Sequence, residues 1–401
     1  MADESQHRQP SAMHDVGEQA DQVATDVRLI SSPAEFIALR DAWNLVAASS
    51  LGAAAFCSHE WFDAAWQWRQ QTARLYVLCF FSGQRLAAIL PLVLSEARTR
   101  GLPLRELAFL AVPDTQSCDV IVGEQERAAA TEAFASELVR RGAGWDVMRL
   151  HYLRPGSVAA STLRAALENR GFATRATMAP GNPFVMLDSS WEAYYATRSR
   201  RLKKSSNLVA NRLNKAGEIR IDWLAPGAAD NSSVRSFVDR AIAISARSWK
   251  TRTGNSLDNP GPQAFIRRLS ESAAQRACLS IWVLSLNDRP LAMEYQLIAD
   301  GSVYALRSDF DAEFDAVSPG THLSGHLLKQ LFGRGLHRYY MGPGNNPYKY
   351  RWTDDVEPVE ELTVYGRSLA GRGAAAWEIT FKPMATRLRD RIRGPASSPE
   401  R

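Results

Sequence analysis

The stretch "LSIWVLSLNDRPLAMEYQLIADGSVYALRSD", residues 279–309, decides the fold. Three apolar runs, 279–286, 291–299 and 303–309, are separated by Asn287-Asp288-Arg289-Pro290 and by Asp300-Gly301-Ser302. Short runs rich in β-branched and aromatic residues, bounded by Asn, Asp, Gly and Pro, read as strands joined by tight turns. Next comes "SPGTHLSGHLLKQLF", residues 318–332, where Leu323, Leu327 and Leu331 recur at helical spacing, and then an aromatic strand around Tyr339 and Tyr340. The unit is therefore a three-stranded meander, a helix and a further strand.

Working outward, the same order occurs earlier in the chain. "LYVLCFFSGQRLAAILPLVLS" (75–95) reads as a hairpin, "LRELAFL" (104–110) as a strand, roughly 124–141 as a helix and "WDVMRLHYL" (145–153) as a strand. Two copies of one supersecondary unit imply a tandem duplication. Between the copies, "SSWEAYYATRSRRLKKSSNLVANRLNKAG" (189–217) reads as one or two helices ending at Gly217, and "NSSVRSFVDRAIAISARSWK" (231–250) as another. Near the amino end a strand and helix begin within 27–49. Trp61, Ala64, Ala65 and Trp68 in "SHEWFDAAWQWR" then share a helix face expected in the core.

The division expected is a disordered tail over 1–27, an amino-terminal domain over 28–180, a carboxy-terminal domain over 181–370 and a basic tail over 371–401. At 401 residues, 45% hydrophobic and 23% charged, the chain has the composition of a folded soluble protein. A net charge of +5 suits anionic ligands without demanding nucleic acid. Cys57, Cys79, Cys118 and Cys278 are widely spaced and form no Cys-x-x-Cys, which predicts buried thiols in a reducing compartment. No run reaches the ~18 apolar residues of a membrane span. With no signal-like stretch at the amino end, a cytoplasmic location is expected.

Meander, helix and strand form the central pattern of the GCN5-related acetyltransferase (GNAT) fold. "SPGTHL" before the helix, "GRGLHRYYMGPGNNPYKYRW" after it, "ARSWKTRTG" upstream and "FCSHEW" near the amino end together resemble the CelD-type branch of that superfamily, over most of residues 28–366. The chain is similar, more distantly, to the Fem peptidyltransferases. The resemblance implies an α/β fold of tandem GNAT-like domains, each a mixed, mostly antiparallel sheet flanked by helices. It also implies acyl transfer from acyl-CoA to an amine of a sugar, lipid or metabolite, linked to exopolysaccharide, cellulose or cell-envelope synthesis. Contact with a membrane or a polysaccharide synthase complex is a further expectation. A non-catalytic module of such a complex, or a Fem-like transferase using aminoacyl-tRNA, are the alternatives.

In this superfamily the loop before the central helix holds the coenzyme A pyrophosphate, which places Ser318, Pro319, Gly320 and Thr321 at the donor. Here the usual longer glycine-rich pattern is reduced to Pro-Gly, and ordinary helix punctuation is an equal reading. On strand 291–298, Glu294 and Gln296 share a face, and Gln296, like Arg307 on the next strand, is expected to contact the substrate. A desolvated Glu294 has the character of a general base, while pairing with an arginine such as Arg307 would make it structural; both readings stand. Tyr348-Lys349-Tyr350-Arg351-Trp352 follows the strand that borders the donor cleft. Lys349 suits an oxyanion or phosphate, an assignment the Fem resemblance extends to it; Arg351 suits a carboxylate or phosphate, and Tyr348 and Trp352 suit an acceptor wall. Trp249 and Lys250 are expected to enter the same cleft.

Seven basic residues and no acidic one lie within 198–215, a run suited to a sugar nucleotide, lipid phosphate or membrane surface. Nucleic acid is disfavoured because the aromatics precede the basic run instead of interleaving with it. His59, His322, His326 and His337 lack metal-ligand spacing, and no Walker or Gly-x-Ser-x-Gly motif occurs, so neither a metal nor a covalent nucleophile is expected.

Overall fold

The computed structural model describes residues 25–382, apart from 51, 53, 100–101 and 228–229. The tails expected over 1–27 and 371–401 lie largely outside the described residues. Residues 25–27 begin the first strand, and a helix over Leu369–Ala375 runs across the expected boundary at 370.

The strands in chain order are β1 (Thr25–Ile30), β2 (Ala73–Ser82), β3 (Arg85–Thr99), β4 (Leu102–Phe109), β5 (Ile121–Val122), β6 (Val147–Leu153), β7 (Ala173–Met186), β8 (Ile219–Leu224), β9 (Leu279–Leu286), β10 (Arg289–Ala299), β11 (Ser302–Phe310), β12 (Arg338–Tyr340) and β13 (Val356–Tyr365). They form one 13-stranded sheet in the order β1-β2-β3-β4-β6-β13-β7-β12-β11-β10-β9-β8, with β5 beside β3. The turn chemistry is local: Asn287 and Asp288 (φ 48° and 64°) close the β9–β10 hairpin, and Asp300 and Gly301 (φ 48° and 67°) close β10–β11. Such two-residue turns match the right-handed twist of the strands they join.

The repeated unit is visible in the pairing. Strands β2, β3 and β4 form an antiparallel meander, the Arg127–Arg140 helix crosses over, and β6 returns parallel to β4. Likewise β9, β10 and β11 form a meander, the Pro319–Leu331 helix crosses over, and β12 returns parallel to β11. The fold is therefore α/β with tandem GNAT-like units. Each crossover helix covers one face of its own half, around Phe134 and around Leu327 respectively.

The opposite faces share a single core. There the His59–Arg69 helix of the first half packs on the Pro260–Gln275 helix of the second, with Trp61 edge-on to Phe265 at 5.5 Å and Arg268 paired to Asp63 at 2.6 Å. Trp61, Ala64 and Ala65 are buried there, and Trp68 packs against the cluster from its edge.

Two strands also cross between the halves. β7 leaves the first half and ends on β12, while β13 returns from the second half to lie between β6 and β7. This continuity brings the first half up to the carboxy-terminal meander, where the site lies.

Candidate active site

Strands β11 and β12 pair only over Ser302–Tyr304 and Arg338–Tyr340. Beyond Tyr304, β11 continues to Phe310, whereas the chain after Tyr340 turns away into Met341-Gly342-Pro343-Gly344. The gap opens into a cavity of about 600 Å³. The register of β10 against β11 shifts where Tyr295 faces Arg307 and Gln296 faces Ala305, leaving Leu306 as an extra residue on β11. A bulge bends its strand and re-aims its side chains. As a result Met293, Leu306 and Asp309 on one face line the cavity together with Glu294, Ala305 and Ser308 on the other.

Glu294 is 2% exposed. Its Oε1 accepts from Tyr339 Oη (2.7 Å) and Gln296 Nε2 (2.8 Å), and its Oε2 accepts from Ser308 Oγ (2.8 Å). A carboxylate has about four acceptor positions, so Oε2 retains capacity for a further proton or donor. Burial raises its pKa above the ordinary carboxylate value, opposed by these three hydrogen bonds. Gln296 does not reach the cavity lining; its Oε1 accepts from Ser280 Oγ and Trp282 Nε1, which fixes the amide that holds Glu294. The arginine pairing considered for Glu294 is corrected here. Arg307 is turned to the opposite face and bonds Asp114 through Nε (2.9 Å) and the Asn255 carbonyl through Nη1 (2.5 Å).

Lys349 is 4% exposed, and its Nζ donates to the carbonyls of Gly342 (2.6 Å) and Pro343 (3.2 Å). Burial, with the charge of Lys250 added, lowers its pKa to about 8. Gly342, at φ 82°, is left-handed, and a Cβ there would lie 3.8 Å from the Lys349 nitrogen. The glycine turn thus folds two carbonyls onto the ammonium with no side chain between.

The remaining aromatic and basic residues of that loop divide between wall and mouth. Trp352 is buried, with Gly325 of the Pro319–Leu331 helix beneath its ring, and its carbonyl accepts from Tyr194 Oη and Arg198 Nη1, both at 2.6 Å. Tyr348 and Arg351 line the cavity, as do Trp249 and Lys250 from the 3-10 turn Trp249–Thr253. Trp249, half exposed, marks the mouth. Gly320 and Thr321, in the first turn of the Pro319–Leu331 helix, also face the cavity. Ser318 and Pro319 are not among its lining residues. Ser318, left-handed at φ 49°, makes the bend into the helix, and Pro319 is buried at its first position.

Sequence reasoning missed the contribution of the first half. Pro113, Asp114 and Gln116, from the loop after β4, line the cavity, and Gln116 Nε2 donates to the Ala305 carbonyl (2.8 Å) just beyond the last β12 pair. The signal available was "PDTQ", a polar run between apolar segments. Ser308, Asp309 and Tyr339 were also missed. No group of three or more His, Cys, Asp or Glu placed to hold a metal occurs among the described residues.

A parallel strand pair that parts around a cavity, with a crossover helix starting at its edge, is the arrangement of a GNAT acetyltransferase domain. Residues 200–350 match the acetyltransferase (GNAT) domain family. No curated protein matches the chain significantly. Among solved structures, FemX superposes with a TM-score of 0.52 at 9% identity, over 88% of this chain and 99% of that one. A C-terminal domain assigned to a lysylphosphatidylglycerol synthetase of Agrobacterium fabrum gives 0.51 at 13% identity, over 86% and 97%. A tandem GNAT protein from the clavulanic acid biosynthesis pathway gives 0.45 at 10%, over 86% and 99%.

Proposed function

We propose that the protein is an N-acyltransferase that moves an acyl group from acyl-CoA to an amine of a sugar, lipid or metabolite, in the cavity between β11 and β12. The observation that carries this reading is the buried Glu294, held by three donors with one acceptor position of Oε2 still open, on the wall of the cavity that also holds the Lys349 ammonium. The similarity of its loops to the CelD-type branch supports an acceptor in exopolysaccharide or envelope synthesis.

The residues present fit the donor. Gly320 and Thr321 place the opening turn of a 13-residue helix at the cavity; the N–H groups of Thr321 and His322 are bonded to the Ser318 carbonyl, so the Gly320 N–H and the positive end of the helix are what attract phosphate there. The Arg200–Ala216 helix packs on that helix, and its Arg200, Arg201, Lys204 and Lys215 are exposed with no acidic partner among the described residues. In the loop before Gly320, the acidic Asp311 and Glu313 are neutralised by Arg289, and Asp311 also by Arg247. When bound, the donor supplies a thioester carbonyl.

Glu294 Oε2 takes a proton from the acceptor ammonium, since only the free amine can attack. The nitrogen then forms the amide bond as the C–S bond breaks; its second proton goes to the departing thiolate, and Glu294 returns the first to solvent. Lys349 keeps its charge toward the carbonyl oxygen, where negative charge develops.

The test is transfer of a radiolabelled acyl group from acyl-CoA to a panel of amino sugars, aminolipids and polyamines by the purified full chain. Amide product formed in proportion to enzyme is expected. Absence of product with every amine, alongside transfer from an aminoacyl-tRNA, would replace this reading with a Fem-like one.

A further inference from the structure

One wall of the cavity holds a second carboxylate that the reaction above does not use. Asp309 is 2% exposed and anchored from behind: its Oδ2 accepts from Ser245 Oγ at 2.7 Å, and Ser245 Oγ in turn accepts from the Leu257 N–H at 3.0 Å. Asp309 is among the residues that line the cavity. The Lys250 Nζ approaches its Oδ1 to 2.5 Å as a charge pair, yet Oδ1 has no aligned hydrogen-bond donor among the described residues.

Lys250 stands on a short 3-10 turn that ends at the left-handed Gly254, beside the half-exposed Trp249 at the mouth. A rigid buried anion facing a cation carried on a surface turn is the pattern of an exchangeable ion pair. The buried partner is costly to leave alone, so whichever cation reaches it is held.

We propose that Asp309 Oδ1 is the docking point for the ammonium group of the acceptor, and that Lys250 is the placeholder the acceptor displaces. This rests on the acyltransfer reading and specifies the acceptor as a primary ammonium that enters charged. A cation on Asp309 also lies within electrostatic reach of Lys349, which already senses Lys250. The ion pair with Asp309 keeps the docked nitrogen protonated, and the charge of Lys349 opposes it.

The probe is n-butylammonium, with n-butanol as the uncharged control, titrated by calorimetry into the full chain without donor. Wild type is expected to bind the ammonium and not the alcohol. Asp309→Asn should weaken that binding by roughly tenfold to a hundredfold, the scale of a charge-assisted hydrogen bond. Lys250→Met should strengthen it by removing the competitor, and this opposite sign distinguishes a placeholder from a lysine that contacts the acceptor.

Unchanged binding in a folded Asp309→Asn protein, or weaker binding in Lys250→Met, overturns the proposal. If Asp309→Asn does not fold, Lys250→Met decides alone. Ammonium binding with this pattern in a protein that transfers no acyl group would leave the docking site standing and remove the acyltransfer reading.

Discussion

Glu294→Gln is expected to lower kcat by roughly two to four orders of magnitude, the usual contribution of a general base, while leaving thermal stability unchanged or slightly raised. The amide keeps the shape of the carboxyl. Its oxygen can still accept from Tyr339 and Gln296, and Ser308 can turn its hydroxyl to accept from the new amide nitrogen. Because burial raises the folded-state pKa of Glu294, ionisation costs stability as the pH climbs above the ordinary carboxylate range. Glutamine escapes that cost. Thermal melts at pH 7 paired with steady-state rates check both halves; normal turnover in the variant would make Glu294 structural.

Lys349→Met should reduce kcat by roughly two to three orders of magnitude, on the scale of losing one oxyanion donor. The apolar stem is kept and the fold should hold. With its pKa lowered to about 8, the folded-state lysine is charged at a cost below that pH, and the cost disappears as pH rises toward the unfolded value. Methionine therefore does not destabilise at neutral pH through lost charge. The same shift predicts that wild-type kcat falls above a midpoint of about 8 as the ammonium is lost. On the acid side it falls as Glu294 takes up a proton above the ordinary carboxylate range. Lys349→Arg, which stays charged, should abolish the alkaline limb whatever its absolute rate. Persistence of that limb in the arginine variant would assign it to another group.

Much of the fold was legible because its signals are local. Asn287-Asp288 and Asp300-Gly301 dictate their turns wherever they stand, and the leucines of 323–331 define one helix face. The strand exchange was not legible. β7 and β13 are held by partners 152 or more positions apart, such as Arg338 against Met186 and Glu361 against Thr177, and no local pattern encodes such a pairing.

The site divides the same way. Glu294, singled out by strand alternation, and Lys349, singled out by its place after β12, both line the cavity, whereas Gln296 does not. Arg307 faces away from Glu294 because the bulge at Leu306 reverses the alternation of β11. Asp114 and Gln116 were missed because their relation to the second half exists only once the two halves pack.

The central claim is that the gap between β11 and β12 receives an acyl donor at the first turn of the Pro319–Leu331 helix. Calorimetric titration of acyl-CoA into the wild-type chain and into Gly320→Val tests it most directly. A Cβ at Gly320 would meet the Phe310 ring at 3.3 Å, which can shift, so the variant should fold while its branched side chain blocks close approach of phosphate to the helix turn. Saturable binding by wild type that weakens at least about tenfold in the variant, the scale of one charge-assisted hydrogen bond, is the predicted result. No heat of binding from a correctly folded wild-type protein, or equal affinity in both, would contradict it.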